Sequence, residues 1–397
     1  LHPSSNKKRT NFQPHIFFKQ ITNETRPNIC EECAAEHYQD LSNTTEQCKP
    51  WTVCDINSTE VELVTPSLAV NRVCGCAEDH YYQREGCTFV GQTVDAVNHP
   101  TAIFAADIDG DGDMDLASAS WSDKKIAWYE NTDGQGTFGP QQVITTSANG
   151  ANSVFAADID GDGDMDLASA SYVDNKIAWY ENTDGKGTFG SQQVVTTSAL
   201  YATSVFAADI DGDGDIDLAS TSYRDDTIAW YRNGDGANGD GDGSAWTEIV
   251  VTAGSYGVNG FADGAASVFV ADIDGDGDMD LASASMGWNG NKIAWHENTN
   301  GDGSTWENIY VGYGRDARSV FAADIDGDGD MDIAAASDGD HKIAWHENTN
   351  GDGRSWTAHT VTTSAFNAQN VFVADIDGDG DMDLASASGS NSGNSKI

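Results

Sequence analysis

Basic side chains are scarce: 20 Lys and Arg stand against 64 Asp and Glu in 397 residues, a formal net charge of −44. Binding nucleic acid needs a basic patch to neutralise phosphates, so nucleic acid is excluded as a partner. Long hydrophobic runs are missing too. No stretch of eighteen apolar residues occurs, so none reads as a membrane-spanning helix. No segment shows helical periodicity with caps, and His2 to Gln20 lacks the apolar core of a signal peptide. Cysteine stops at Cys87, and the Asn-x-Ser/Thr sequons stop at Asn57.

The acids that are present are unevenly spread. The first 90 residues hold 12 acidic and 8 basic side chains, and the remainder holds 52 and 12. Thirty of those 52 fall in six near-identical nine-residue loops. The first contains Asp107, Asp109, Asp111, Asp113 and Asp115, and the second Asp158, Asp160, Asp162, Asp164 and Asp166. The third contains Asp209, Asp211, Asp213, Asp215 and Asp217, and the fourth Asp272, Asp274, Asp276, Asp278 and Asp280. Asp324, Asp326, Asp328, Asp330 and Asp332 follow, then Asp375, Asp377, Asp379, Asp381 and Asp383. Five carboxylates in nine residues repel one another unless a multivalent cation sits among them, and calcium takes six to eight oxygen ligands. We therefore read all thirty as candidate metal residues, about one Ca2+ per loop. An acidic disordered tail is a poor description, because eleven Trp and regular apolar segments separate the loops.

Seven cysteines, Cys30, Cys33, Cys48, Cys54, Cys74, Cys76 and Cys87, crowd a segment with few large aliphatic side chains. So small a segment buries too little apolar surface to hold itself, so cross-links are expected. Cys30-x-x-Cys33 and Cys74-x-Cys76 could also offer thiolate pairs to zinc. The sequons at Asn23, Asn43 and Asn57 lie in the same stretch and favour disulfides in an oxidising, secretory setting. Domains are accordingly read as a poorly ordered segment at 1–29, a cysteine-rich module at 30–90 and a repeat region at 91–397. The chain opens on Leu1, and Lys396-Ile397 matches the start of a phrase repeated upstream, so a piece of a longer protein is expected.

From one acidic loop to the next the spacing is 51, 51, 63, 52 and 51 residues, which predicts one supersecondary unit per repeat. In the second copy, Ser153-Val-Phe-Ala-Ala-Asp-Ile reads as a strand running into the loop. Asp166 to Ser171 reads as a second strand with one face buried, Lys176 to Glu181 as a third, and Gln192 to Thr197 as a fourth. Four antiparallel strands per fifty residues make a blade, and the fold class is all-β, a β-propeller of four-stranded blades. Gln192 to Thr197 has a counterpart in Gln92 to Ala96, which could complete a last blade; six or seven blades both fit. EF-hands are excluded, because position twelve is Ser118 or Ser169 and not Glu, and helices are missing.

The repeat resembles the integrin α-chain-like unit of the FG-GAP and VCBS type, in which a calcium loop joins the first two strands of a blade. The resemblance implies side-chain ligands at loop positions 1, 3, 5 and 9 and a backbone carbonyl at position 7. In the first copy those are Asp107, Asp109, Asp111, Asp115 and the carbonyl of Asp113. Gly110 and Gly112 permit the tight path, and Ile108 and Met114 are expected to point toward the blade. The Phe-Gly and Gly-Ala-Pro phrases of the integrin version are replaced by Phe155-Ala and Ala168-Ser-Ala, so integrin ligands are not implied. Upstream, Cys48-Lys-Pro-Trp-Thr-Val-Cys54 with Asn71-Arg-Val-Cys74-Gly-Cys76 resembles a tumour necrosis factor receptor cysteine-rich module. That likeness implies pairs Cys33–Cys48, Cys54–Cys74 and Cys76–Cys87, with Cys30 left over. Trp51 stands where the family has a further cysteine.

Loops alternate between the two faces of a propeller, so the face opposite the acidic loops receives the variable ones. It should carry Trp121, Asp123, Tyr172, Asp174, Tyr223, Arg224, Trp288, Asp340 and His341, with His99, Tyr201, Tyr256, Phe261, Arg315, Arg318 and Phe366 from the blade connections. A binding surface and simple inter-blade packing both fit these residues. Trp128, Trp179, Trp230, Trp295 and Trp345 are read as core, and His296 and His346, where other repeats have Tyr, as packing or surface variants. The acidic glycine stretch Asn233 to Gly243 reads as a flexible hairpin tip, with an extra cation site as the alternative. The functional expectation is a secreted or cell-surface calcium-binding recognition or adhesion protein with a protein or glycan ligand. An enzyme acting on extracellular polysaccharide and a plain structural spacer are the alternatives; no catalytic phrase breaks the repeat symmetry.

Overall fold

A computed structural model describes residues 17–18, 90–91, 94–95, 97–234, 241–254, 260–287, 291–376 and 378–389. The cysteine-rich module with its expected disulfides, Gln92 and Thr93, Tyr256, Trp288 and Asp377 lie outside them. Every described residue falls in one of the two units into which contacts divide the chain.

Each repeat folds as the periodicity predicts. The second comprises Ala151–Ala157, Asp166–Ser171, Lys176–Tyr180 and Gln193–Thr196, hydrogen-bonded in that order as one antiparallel sheet. Five such four-stranded sheets follow one another, and Ala368–Ala374 with Asp383–Ser388 form a two-stranded sixth. No helix occurs among the described residues. The inner strands lie side by side from blade to blade, marked by a relay of rings: Phe104 to Phe155 at 4.3 Å, then Phe206, Phe269, Phe321 and Phe372, each within 5.1 Å of the last. This is a β-propeller arrangement.

The core lies between blades. One cluster joins Ile108, Ala117, Ile126 and Trp128 of the first blade to Ala151, Val154, Leu167 and Tyr180 of the second, and four more repeat the pattern. The second strand departs from the sequence expectation: all six residues of Asp166–Ser171 are buried, not one face. It is a middle strand with a sheet against each side, and Ala and Ser are small enough to let both approach. At the first blade the packing partner on one side is missing among the described residues. Ile103 is 42% exposed where Val154, Val205, Val268 and Val320 are 3 to 4% exposed.

Tyr129, Tyr180 and Tyr231 are buried at the blade interior, and Tyr180 and Tyr231 share hydrogen bonds with Ser169 and Ser220. His296 and His346 take this place in the next two blades and are buried packing residues, not surface variants. His296 Nε2 meets Ser283 Oγ at 2.9 Å and its Nδ1 meets Asn308 Oδ1 at 2.5 Å. The fifth blade has Ala335 in place of that serine, and both ring nitrogens of His346 are buried without a partner.

Candidate metal loops and the opposite face

Every acidic loop joins the first and second strands of its blade. Glycines at positions 4 and 6 make the turn possible: Gly110 and Gly112 have φ of 72° and 95°, and the following loops repeat this within a few degrees. The carboxylates then fold the loop around themselves. Asp107 Oδ2 accepts from Gly112 N at 3.0 Å, Asp109 Oδ1 from Asp111 N at 3.3 Å, and Asp111 Oδ1 from Asp113 N at 2.9 Å. Each thus spends one oxygen on the backbone and keeps the other free.

Carboxylate oxygens of each loop converge. One ligand atom from each of Asp107, Asp109 and Asp115 lies within 4.8 Å of the others, and the same holds for Asp158, Asp160 and Asp166 and for Asp324, Asp326 and Asp332. In the third and fourth loops the convergent sets are Asp209, Asp211 and Asp213, and Asp272, Asp274 and Asp276. Oδ1 of Asp107, Asp158 and Asp209 is buried with no hydrogen-bond partner. A buried carboxylate oxygen without a donor is costly, and a hard cation with an all-oxygen preference satisfies it. The donor set therefore fits calcium.

Position 9 has a second job. Asp115 is fully buried; its Oδ2 accepts from Ile108 N at 3.0 Å and its Oδ1 from Asn131 N at 2.7 Å. Burial, opposed by these backbone donors, pushes Asp166 and Asp280 up to about 7, Asp217 to about 8 and Asp332 to about 6. Asp109, Asp160, Asp274 and Asp326 are raised as well, by burial and then by neighbouring carboxylates. Position 7 points elsewhere. The side chains of Asp113, Asp164, Asp278 and Asp330 lie against Gly134, Gly185, Gly301 and Gly351 of the adjoining turn, where a Cβ would come 2.3 to 2.5 Å from them. Asp215 lies likewise against Gly241, whose N–H it accepts at 2.9 Å. The expectation for Met114 is overturned: Ile108 is 1% exposed, but Met114 is 62% exposed. Asn131 Nδ2 donates to the Met114 carbonyl at 3.2 Å, and Asn233 makes the same bond to Ile216, whose side chain packs against the core.

Asparagine is the functional residue that the sequence reading did not single out. Asn182 donates through Nδ2 to the carbonyl of Ile108, in the previous blade's loop, at 2.8 Å. Its N–H reaches Asp166 Oδ1 at 2.7 Å, and its Oδ1 accepts from Gly187 N at 3.0 Å. Asn233, Asn298 and Asn348 repeat the link to Ile159, Ile210 and Ile273. Each of these acidic loops is thereby tied to the next blade. The recurrence of this Asn after the third strand of each blade is the signal that could have found it.

On the opposite face, the loop between second and third strands meets the blade connection: Trp121 N donates to His99 O at 2.9 Å and Tyr223 N to Tyr201 O at 3.1 Å. Here the structure brings five expected residues together. His99 lies 6.0 Å from Trp121, Trp121 5.0 Å from Tyr172, and Tyr172 stacks on Tyr201 at 4.4 Å. Arg224 caps the row over Tyr201 at 5.2 Å, its Nη1 donating to the phenol oxygen at 3.0 Å. His99 and Tyr201 hold φ of 61° and 59°, where Gly150, Gly264, Asp316 and Asn367 occupy the matching left-handed position in other blades. Bulky residues in the left-handed region are strained. Phe261, Arg318, His341 and Phe366 are not part of this row. Lys292 lies over Phe261, Arg318 pairs with Asp338 at 2.9 Å, and His341 packs on Phe366.

A putative 6-phosphogluconolactonase from Bacteroides uniformis is 12% identical with a TM-score of 0.47, covering 70% of this chain and 75% of its own. The periplasmic gluconolactonase of Pseudomonas aeruginosa is 13% identical with a TM-score of 0.47, covering 75% and 77%. A nidogen/laminin complex chain is 10% identical with a TM-score of 0.40, covering 61% and 74%. Similarities at this level carry nothing about activity. No curated protein matches the chain. The FG-GAP-like repeat matches residues 107–169, 160–220, 209–283, 272–335 and 324–386, well over half of the sequence, and the chain belongs to that repeat family.

Proposed function

We propose that this is an extracellular recognition protein whose calcium-loaded loops hold the propeller together while the opposite face binds a protein or glycan ligand. Calcium would supply the positive charge that the loops lack, held by carboxylate oxygens of Asp107, Asp109 and Asp115 and their counterparts. The chain's own residues do the rest: glycines set the turn, the position-9 acids clamp it to the sheet, and the Asn relay passes the loop's geometry to the neighbouring blade.

The observation that carries the recognition reading is the row His99, Trp121, Tyr172, Tyr201 and Arg224. Trp, Tyr and Arg are the residues that anchor macromolecular interfaces. They run across three blades, half-exposed or exposed, and two put a ring at a left-handed position that the other blades fill with Gly150, Gly264, Asp316 and Asn367. Packing alone would be served as well by glycine at those two positions. The clustering of sequons and cysteines upstream supports a secreted or cell-surface setting.

The test is capture by the calcium-loaded protein on panels of extracellular polysaccharides and matrix proteins, beside Trp121→Ala and Tyr172→Ala. Capture that is lost in both variants while their melting temperatures stay near wild type is the expected result. Capture unchanged in both would move the ligand site off this row, and turnover of a bound polysaccharide would replace recognition with enzymatic activity.

A further inference from the structure

We propose that Arg232 is a built-in cation at the third acidic loop, so that Asp209–Asp217 holds calcium more weakly than the other described loops. The inference rests on the calcium reading above. Four repeats place a glutamate after the Trp-Tyr or Trp-His pair of the third strand: Glu130, Glu181, Glu297 and Glu347. The third repeat places Arg232 there.

The exchange acts on the metal loop directly. Arg232 Nε lies 2.6 Å from Asp211 Oδ2, and the Asp211 side chain is only 5% exposed. The guanidinium is held in place over the Trp230 ring at 5.3 Å, and its Nη2 donates to the Asp302 carbonyl at 3.3 Å. Among the described ion pairs this is the one that engages an acidic-loop carboxylate. In the second and fifth blades the same strand position bears a negative charge close enough to push Asp160 and Asp326 upward. The nearest comparison is Arg354, which reaches the fourth loop from the next blade, but it pairs with Glu297 and with Glu307.

Replacing glutamate by arginine changes the charge beside the loop by two units. A dication entering the third loop meets a position-3 carboxylate already neutralised and a guanidinium that repels it. The loop is not dismantled, because Asp209 Oδ1 and Asp211 Oδ1 remain buried without a donor. Calcium can enter once Arg232 swings outward, so the site is weakened and not lost. Such a site would respond to calcium at concentrations where the others are already full.

The experiment counts calcium ions on the full chain by native mass spectrometry and measures affinities by calorimetric titration. Wild type should show a tight class and one ion that binds only at higher calcium; Asp211→Asn should remove that ion alone. Arg232→Glu should tighten it by about tenfold or more, with Arg232→Gln between the two and serving if the Glu variant folds poorly. Glu181→Arg should create a second weak ion in the blade next door. Ions of equal affinity that Arg232→Glu and Arg232→Gln leave unchanged would overturn the role of Arg232 while leaving calcium binding intact. No ion bound by wild type at all would overturn the calcium reading itself.

Discussion

The indole Nε1 of Trp230 donates to the carbonyl of Gly303, one blade further on, at 3.1 Å. Trp179 makes the same bond to Gly243 and Trp295 to Gly353, at 3.1 and 2.8 Å. Each turn glycine sits flat on the tryptophan of the preceding blade: a Cβ on Gly303 would come 2.3 Å from the Trp230 ring, and φ there is 65°. Gly303→Ala should therefore cost about 2 kcal/mol or more, from overpacking and left-handed strain together. Gly136 is the internal control. It has φ of 88° but nothing within 4 Å of an added methyl, so Gly136→Ala should cost only the left-handed strain, about 1 kcal/mol. Chemical denaturation of both variants checks the difference; equal losses would mean that the tryptophan contact contributes nothing.

Removing calcium should lower thermal stability. Extracellular calcium modules typically bind at about 10⁻⁴ to 10⁻³ M, and free calcium at about ten times that constant adds about 1.4 kcal/mol per site. Several such sites are comparable with the whole stability of an ordinary domain, about 5 to 15 kcal/mol. Calorimetry with calcium and with excess chelator measures the shift, and an unchanged transition would count against structural calcium.

In chelator the pH dependence should run opposite to that of most proteins. The folded state raises Asp166 and Asp280 to about 7 and Asp217 to about 8, above the ordinary 3.8. Between those values the unfolded chain has released protons that the folded chain retains, so stability falls as pH rises. His296, lowered to about 4 by burial, acts in the other direction, its contribution being lost as pH falls from 6.5 toward 4. The carboxylate trend is therefore cleanest from pH 6.5 to 8.5, where the melting temperature in chelator should decrease. Added calcium should abolish the decline, because the bound ion favours the ionised form.

Ala335→Ser should stabilise the protein by about 1 kcal/mol, since it offers His346 the hydroxyl that Ser283 gives His296. Ser283→Ala should remove as much. Urea midpoints read both changes, and a destabilised Ala335→Ser would show that the fifth blade has closed too far to admit the oxygen.

Tyr201→Gly separates stability from recognition. Glycine accepts the φ of 59° without strain, so stability should hold or rise by about 1 kcal/mol. Ligand capture should fall, because the stacked partner of Tyr172 and the seat of Arg224 are both gone. Capture at wild-type strength would remove Tyr201 from the binding row.

The acidic loops were legible because their chemistry is local. Five carboxylates, two glycines and a buried isoleucine lie within nine residues, and spacing alone places them on one turn. Strand order was legible as well, since alternation and turn residues mark each hairpin. Met114 was misread because exposure at position 8 varies with the neighbouring blade: Ile216 packs against the core shared by the second and third blades, while Met114, in the first, is 62% exposed. The second strand was misread because its alternation of Ala and Ser looks half-buried until a sheet is packed on either side.

By itself, then, the sequence determined the repeat, the blade and the loop that gathers oxygen atoms, for these depend on contacts within about fifty residues. Only the tertiary structure decided what happens between blades. It aligned His99, Trp121, Tyr172 and Tyr201 into one row, set Asn182 on the carbonyl of Ile108, and brought Arg232 against Asp211. The physical reason is that side-chain direction and the approach of neighbouring sheets fix these meetings, and neither is written in the spacing of a single repeat.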